Sequence, residues 1–587
     1  MTGAPARPVT GARAAGIVGI AAGLVAGVDL LRAVRPALLS DPDPAWAAPR
    51  LLLGLAVAAC AAAAGALAAG VYLLWARLAS ARAPLQPLPW RAAALVLLAG
   101  AAIAAGALLR FAALARSPEW LWIDDLSLIA PALDLSGAPS DFANSIRPAP
   151  YGVPRAYGSV GVLYLEAYRA SLERLGATVL GVRFPSALCG SLSIVTGALL
   201  GRALLPAGGG ALTALALAGM RGHLILSRWS WNMIALVPIV DLATLAVVAA
   251  RRRRSAALAG MGGALGGVGA HVYLSAWPAG AALALFALWP GPDEERASPR
   301  VRRAAAFAAA FLAVASPLFL LREGRTAPYF ARTADHNVAL EIRRTRSPLP
   351  PVAAVADTIA APWLVPDPGA RHDLPGRSRL GLLLGVPVAI ALARALLRPR
   401  EPLSALLFAH AAAVLAATAA GGQADVPNGS RFAYLTTLAA ICAAAGLMWL
   451  AGLAPPSRRS AAALGAVGVL IVSGALGARD ALRLWPERAE TFVGFHGQDT
   501  LIGRSAARWE RYGSVDVSPA LGHSPITIAA IRRYRLDPDA TPVPRAAPRF
   551  RIRVAPPGEA GRPGERLVET IADPRGTEWA RVWAEKS

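Results

Sequence analysis

The sequence predicts a mainly α-helical, polytopic membrane protein with interfacial amphipathic helices and a small extracytoplasmic C-terminal α/β domain. Of its 587 residues, 55% are hydrophobic and 16% are charged, whereas soluble domains have about a quarter charged residues. Apolar stretches of membrane-spanning length recur as far as residue 478. After that point the chain is polar. We therefore predict a bundle of about 13 spans over residues 1–478 and a separate domain over residues 479–587.

The first three spans set the predicted orientation. Arginines precede an apolar run at residues 14–39, which we interpret as a signal anchor because it lacks a convincing small-residue cleavage site. A span at 51–78 returns to an arginine-containing loop, and a span at 92–114 leads away from it. Arginines favour cytoplasmic loops. The N-terminus is therefore expected in the cytoplasm, and both the residues after 114 and the C-terminal domain are expected outside it.

Two adjacent aspartates, Asp124 and Asp125, follow the third span behind Trp120 and Trp122. Tryptophan at this level is typical of the membrane–water interface. A carboxylate there suits a general base, which takes a proton from an attacking hydroxyl. The alternative is structural, since Asp also favours the N-cap and first turn of a helix. We favour the functional interpretation because the tryptophans, the predicted outer location and an amphipathic helix coincide.

Two long loops, about 116–182 and about 322–379, exceed ordinary connection lengths. The first has apolar stripes on two predicted helices, which would lie in the interface plane and cover a site at the membrane surface. Their apolar positions are Leu126, Ile129 and Leu133, then Leu165, Tyr168, Leu172 and Leu175. The second loop contains Asp335 and His336, for which we favour a structural role over acceptor or metal binding.

The remaining spans follow the same alternation of apolar runs and arginine-rich inner loops. Arg251–Arg254 is the strongest cytoplasmic marker. Paired glycines at 262/266 and 263/267 predict close helix packing. The segment 279–289 is short enough to be re-entrant. The predicted spans are 184–205, 208–225, 231–250, 258–274, 279–289, 304–321, 380–397, 403–420, 432–453 and 461–476.

Several span ends on the predicted outer side carry groups suited to phosphate. Arg183, Arg228 and Arg431 have planar guanidinium groups that can bind phosphate oxygens in pairs, and His271 and Tyr273 lie near another span end. We predict that these five residues bind the substrate or its phosphate. The alternative for each arginine is contact with lipid head groups, which is common at span ends.

Composition excludes several other classes. The net charge of +23 is explained by positive inner loops or by anionic partners such as phospholipids and phosphorylated substrates. Nucleic acid is not expected, because no basic stretch alternates with aromatics on a soluble domain. The three cysteines lie in apolar segments and predict neither disulfides nor a zinc site. No cofactor or metal is required by the pattern, although a divalent cation beside the aspartates stays open.

Asp241, within a span, is interpreted as an ion-pathway residue or a hydrogen-bond partner of a neighbouring helix.

Within the C-terminal domain, Phe550, Ile552 and Val554 alternate with arginines, which predicts a strand. The segment Ile526–Ile531 is predicted to form a second strand.

Three motifs resemble one family. Trp122–Asp125 resembles the W-x-D-E start of the first outer loop in polyprenyl-phosphate-sugar glycosyltransferases of the GT-C superfamily. Gly181–Leu188 is similar to the segment A-x-R-h-P-S-A-L of the branch containing protein O-mannosyltransferases and lipid A aminoarabinose transferases. Leu226–Ser230 is similar to its h-S-R-x-A/S segment.

This resemblance implies inverting transfer of a hexose or pentose from a polyprenyl-phosphate donor in the cell (inner or plasma) membrane. The family's first-loop base corresponds to Asp124, and Asp125 stands where Glu is usual. The acceptor would be a cell-envelope glycan, a lipid or a protein, the last implying protein glycosylation. The rival interpretation is a secondary transporter or a flippase for lipid-linked sugars. Charges collect at span ends rather than at the membrane midplane, which favours the enzyme.

Overall fold

The computed structural model describes residues 90–127, 129, 162–290, 297–316, 338–421, 428, 429, 431–518, 520, 521, 525–534, 536 and 550–586. The spans predicted at 14–39 and 51–78, together with Leu133, Asp335 and His336, lie outside these residues.

The described chain is mostly helical, with the sheet confined to its C-terminal part. The helices are α1 (Trp90–Phe111), α2 (Ile123–Ser127), α3 (Val162–Leu175), α4 (Val179–Leu204), α5 (Gly209–Gly219), α6 (Arg221–Leu226), α7 (Met233–Arg253), α8 (Ala256–Ala270), α9 (Ala276–Leu288), α10 (Ala297–Ala315), α11 (Val338–Thr345), α12 (Leu349–Ala360), α13 (Gly381–Leu397), α14 (Pro402–Gly421), α15 (Leu435–Leu453), α16 (Arg459–Arg479), α17 (Ala489–Gly494), α18 (Gly497–Trp509) and α19 (Pro525–Tyr534).

In the part of the chain that the structure describes, six helices are long and apolar enough to cross a membrane. They are α1, α4, α7, α14, α15 and the continuous helical run Pro456–Leu484 that contains α16. Shorter apolar helices, among them α5, α8, α9 and α13, pack between them. The polytopic helical class is therefore confirmed, while the total of about 13 spans stays a prediction.

Cross-connections define two ends of the bundle. At one end, Asn232 before α7 contacts Val272 after α8, and His271 contacts Val314 near the end of α10. At the other end, Arg251 at the end of α7 donates to Phe286 of α9. The end formed by residues 112–125, 227–232 and 271–275 is called the acid-turn end below. The predicted cytoplasmic marker Arg251–Arg254 lies at the opposite end.

The paired glycines of α8 allow close helix packing, as predicted. A Cβ on Gly263 would lie 2.0 Å from the carbonyl oxygen of Phe307 in α10. On another face of α8, a Cβ on Gly262 would lie 3.0 Å from the carbonyl oxygen of Ala243 in α7. A larger side chain at Gly263 would therefore separate α8 from α10.

The C-terminal part contains four strands, β1 (Gly513–Val517), β2 (Phe550–Ala555), β3 (Arg566–Ala572) and β4 (Glu578–Lys586), in the order β1-β2-β4-β3. β1 and β2 are parallel and the other pairs are antiparallel. The strand predicted around Ile552 is confirmed. The strand predicted at Ile526–Ile531 is wrong, because α19 occupies these residues and buries Ile528 and Ile531, three residues apart, on one helical face.

Candidate functional site

The acid turn is the short helix α2, and Asp125 stabilises its start. The Asp125 side chain has no solvent exposure. Its Oδ2 accepts the N–H of Trp122 at 3.1 Å, and its Oδ1 accepts the N–H of Ser230 at 2.9 Å. Trp122 is the residue just before α2, so the first bond is the acidic half of a capping box. The second bond fastens α2 to the connection between α6 and α7. These two hydrogen bonds support the structural interpretation of Asp125.

Asp124 is the second residue of α2. The position of its side chain lies outside the described part of the structure, so its role as the base stays a prediction.

Arg183, at the beginning of α4, holds the chain that leads into the acid turn. Its fully buried guanidinium donates to the carbonyl oxygens of Leu114 (3.0 Å), Pro118 (2.6 Å) and Trp120 (2.8 Å). Three bonds to one loop fix both the depth and the direction of that loop. These contacts give Arg183 a positioning role, and its predicted phosphate contact stays a prediction.

Arg228 does the same for the end of α1. Its buried guanidinium donates to the carbonyl oxygens of Leu109 (2.8 Å), Arg110 (3.1 Å), Ala112 (2.8 Å) and Ser117 (2.9 Å). A cation at the C-terminus of a helix satisfies carbonyls that lack partners and interacts favourably with the helix dipole. Together, Arg183 and Arg228 donate hydrogen bonds to seven backbone carbonyl oxygens between residues 109 and 120.

Helix α3 covers the acid turn with an apolar face, as the sequence predicts. Leu165, Tyr168 and Leu172 are buried. The Tyr168 hydroxyl donates to the backbone carbonyl of Asp125. Burial, reinforced by the Asp125 charge, raises the pKa of Tyr168 well above its ordinary value, so the hydroxyl keeps the proton that it donates. One turn earlier, the Tyr164 hydroxyl lies 2.9 Å from Ser186 Oγ.

His271 and Tyr273 lie in the connection between α8 and α9, at the acid-turn end. Both are largely buried, and His271 Nε2 lies 2.8 Å from the carbonyl oxygen of Val314. The intervening Val272 accepts a hydrogen bond from Asn232 Nδ2 at 2.7 Å. Ser230 bonds Asp125 and Asn232 bonds Val272, so the connection between α6 and α7 links the segment 271–273 to the acid turn.

Arg431 is half-buried in a turn before α15, where its N–H contacts Asn428. The neighbouring Gly429 N–H donates to Asp367 of the second long loop at 2.8 Å. Burial alone would raise the pKa of Asp367, but hydrogen bonding and charge from His372 and the charge of Arg379 outweigh it and lower that pKa. The His372 ring packs 6.2 Å from that of Trp229, which brings the second loop to the acid-turn end.

The C-terminal domain also contacts the segment that leads into the acid turn, which sequence reasoning missed. Arg504 of α18 donates to the Glu119 carboxylate at 3.0 Å and to the Glu119 carbonyl at 2.9 Å. Thr500 Oγ1 accepts the N–H of Leu121 at 3.0 Å. The Trp120 ring meets Phe492 edge-on at 4.8 Å. No local pattern in the sequence signals contacts between residues almost 400 positions apart.

Two further side chains border Trp122. The Arg371 guanidinium stacks 3.6 Å above its ring, and His496 approaches at 4.7 Å between ring centres. Neither residue was among the predicted site residues. Among the residues described, no group of His, Cys, Asp and Glu is arranged to hold a metal ion.

Buried polar groups within the bundle serve helix packing. Asp241 accepts hydrogen bonds from the hydroxyls of Thr196 (2.7 Å) and Thr437 (3.0 Å) on neighbouring helices, which agrees with the hydrogen-bond alternative. Arg110 lies 2.6 Å from His223 Nδ1, and His223 Nε2 lies 2.7 Å from Ser193 Oγ.

No protein-family model matches the sequence, and no curated protein matches it. Solved structures do resemble it. ArnT from Cupriavidus metallidurans bound to undecaprenyl phosphate aligns with a TM-score of 0.47 and 13% identity, covering 84% of this chain and 98% of that one. Apo ArnT gives 0.46 and 14%, covering 78% and 93%.

AglB from Archaeoglobus fulgidus, an archaeal oligosaccharyltransferase in complex with an inhibitory peptide and a dolichol-phosphate, gives a TM-score of 0.41 and 13% identity over 78% of this chain and 61% of that one. The chain is similar to these two proteins over most of its length.

Proposed function

We propose that the protein is an integral membrane glycosyltransferase that moves a sugar from a polyprenyl-phosphate donor to an extracytoplasmic acceptor. The acid turn carries the proposal. Tyr168 binds its backbone at Asp125, and the segment 114–121 that leads into it is held by Arg183 and by the C-terminal domain, at one end of a membrane bundle. A donor dissolved in the bilayer and an acceptor in water meet at such a boundary. A rigid support is what a positioned base requires.

Asp124 acts as the general base in this proposal. Asp125 has both carboxylate oxygens bonded to backbone N–H groups, which favours a supporting role for it. Asp124 would accept the proton of the acceptor hydroxyl as that hydroxyl attacks the anomeric carbon, and the polyprenyl phosphate would leave. Arg371, which stacks on Trp122, and the predicted phosphate ligand Arg431 are both incompletely buried and would stabilise the leaving phosphate.

The test is Asp124→Asn in the purified full-length protein, assayed with radiolabelled polyprenyl-phosphate sugars and a cell-envelope extract, with products identified by mass spectrometry. We expect turnover to fall by about 10²–10⁴-fold with unchanged thermal unfolding. Asp516→Asn on β1, where the side chain is exposed, is the matched control. Full transfer by Asp124→Asn would remove the base assignment.

The rival, a transporter or flippase, makes a different prediction. In proteoliposomes it would move a fluorescent lipid-linked sugar between leaflets without changing its chemistry. Such movement, combined with no turnover by the wild type on any donor, would replace the proposed function.

A further inference from the structure

Helices α11 and α12 lie beside the bundle and expose apolar side chains. On α12, Pro351 and Ala354 are buried, and the helix packs against α14, a candidate span. Leu349, Val352 and Ile359 are 70%, 63% and 55% exposed. At about 100° per residue, these three positions share the helix face opposite Pro351 and Ala354. One face of α12 therefore contacts protein, and the other is an exposed apolar strip.

The strip continues onto a helix of the bundle. Trp363, just after α12, donates its indole N–H to the carbonyl oxygen of Gly385 in α13 at 2.9 Å. Beside this contact, Leu364 is 78% exposed and Leu382, at the start of α13, is 83% exposed. Because α13 is itself an apolar helix of the bundle, this continuity places α12 where α13 would enter the hydrocarbon layer.

A basic group adjoins the strip. Arg343, Arg344 and Arg346, at the end of α11 and just after it, are all exposed. They lie within a few residues of Leu349. At a bilayer surface, an apolar helix face contacts acyl chains, and arginines at the edge of that face reach the head-group phosphates. The α11–α12 surface is defined here as these three arginines together with Leu349, Val352, Ile359 and Leu364.

We propose that the α11–α12 surface docks onto anionic phospholipid, with the apolar strip at the acyl boundary and the three arginines on head-group phosphates. Charge complementarity selects this occupant, since basic residues beside an apolar helix face favour anionic over zwitterionic lipid. The surface is separate from the acid turn, so the proposal does not depend on the proposed glycosyl transfer.

The test uses native mass spectrometry to measure lipid binding to the purified full-length protein. Phosphatidylglycerol or phosphatidylcholine is added, and no polyprenyl phosphate is present. The variant is Arg343→Gln, Arg344→Gln and Arg346→Gln combined. We expect its phosphatidylglycerol affinity to fall about tenfold or more, with phosphatidylcholine binding unchanged. The matched control replaces three exposed arginines by Gln, Arg551 and Arg566 in the C-terminal sheet and Arg575 in the turn between β3 and β4, and should bind as the wild type does.

The Arg→Lys triple variant keeps the charge and should keep the affinity, which separates lipid binding from misfolding. A photoactivatable phosphatidylglycerol should cross-link to residues 338–364. Equal phosphatidylglycerol binding by the wild type and the Gln variant would overturn the proposal. So would cross-linking of this surface to a second copy of the chain in place of lipid.

Discussion

The contacts of Asp125 predict that its substitution weakens the fold before it affects chemistry. In Asp125→Asn, the amide can accept from only one of the two backbone N–H groups of Trp122 and Ser230. A buried donor left without a partner costs about 1–3 kcal/mol. We expect a clearly lower melting temperature in detergent, whereas Asp124→Asn should melt as the wild type does. An Asp125→Asn protein with wild-type stability and no turnover would instead give Asp125 a direct chemical role.

Arg183 can be tested for its two roles at once. Arg183→Gln removes three bonds to carbonyl oxygens of residues 114, 118 and 120, and we expect a loss of about 1–3 kcal/mol in the free energy of unfolding. Arg183→Lys should recover only part of it, because an ammonium lacks the planar fork. Arg174→Gln on the exposed side of α3 is the control. Unchanged stability with weaker donor binding would favour phosphate contact over positioning.

At this scale the sequence singled out Arg183 and Arg228 but did not predict the hydrogen bonds that they form. Arg183 and Arg228 were found because they stand at span ends within family-like motifs. Their partners are backbone carbonyls, which every residue carries and no sequence pattern marks. Glu119 and Arg504 are separated by 385 positions, and only the folded chain brings them together.

At the scale of elements, periodicity predicted helices well and one strand badly. The stripe on α3 is long enough for a period to emerge. Residues 526–531 are too few to separate a helix from a strand by pattern alone, and their isoleucines favoured the wrong choice. β2 followed the predicted alternation except at Arg553, which is buried because it forms ion pairs with Glu559 and Glu565.

The Arg553–Glu565 pair makes the C-terminal sheet sensitive to acid. The hydrogen bond from Arg553 lowers the pKa of Glu565 to about 2. A carboxyl whose pKa is lowered by folding stabilises the fold above its ordinary pKa of 4.5, and this contribution is lost as the pH falls towards 2. We expect hydrogen exchange of β2 in the wild type to approach that of Glu565→Gln over this range. Comparing both proteins at each pH cancels the intrinsic pH dependence of exchange. A constant difference between them would contradict the assignment.

At the scale of the whole molecule, one buried apolar cluster joins the membrane bundle, the acid turn and the C-terminal domain. It includes Trp120, Tyr168, Trp229, Phe495 and Ile531. The C-terminal sheet also has a buried core of its own, which includes Ile552, Val554 and Val582, and the division at residue 478 stays a prediction. A hydropathy pattern marks which segments avoid water, but it does not record which segments share a core. For this reason the covering of the acid turn by the C-terminal domain was not foreseen.

Arg504 tests whether that covering matters for turnover. Arg504→Gln loses the ion pair with Glu119 and the bond to its carbonyl, so the segment 119–125 should become more mobile. We expect faster hydrogen exchange there and a kcat lowered by about tenfold with little change in the donor KM, because positioning is lost rather than donor affinity. Arg504→Lys should restore part of the rate. Arg508→Gln, one turn further along α18 and paired with Glu569 of the sheet, should leave both measurements unchanged. If Arg504→Gln and Arg508→Gln behave alike, the C-terminal domain adds stability without orienting the acid turn, and the catalytic unit is the membrane bundle alone.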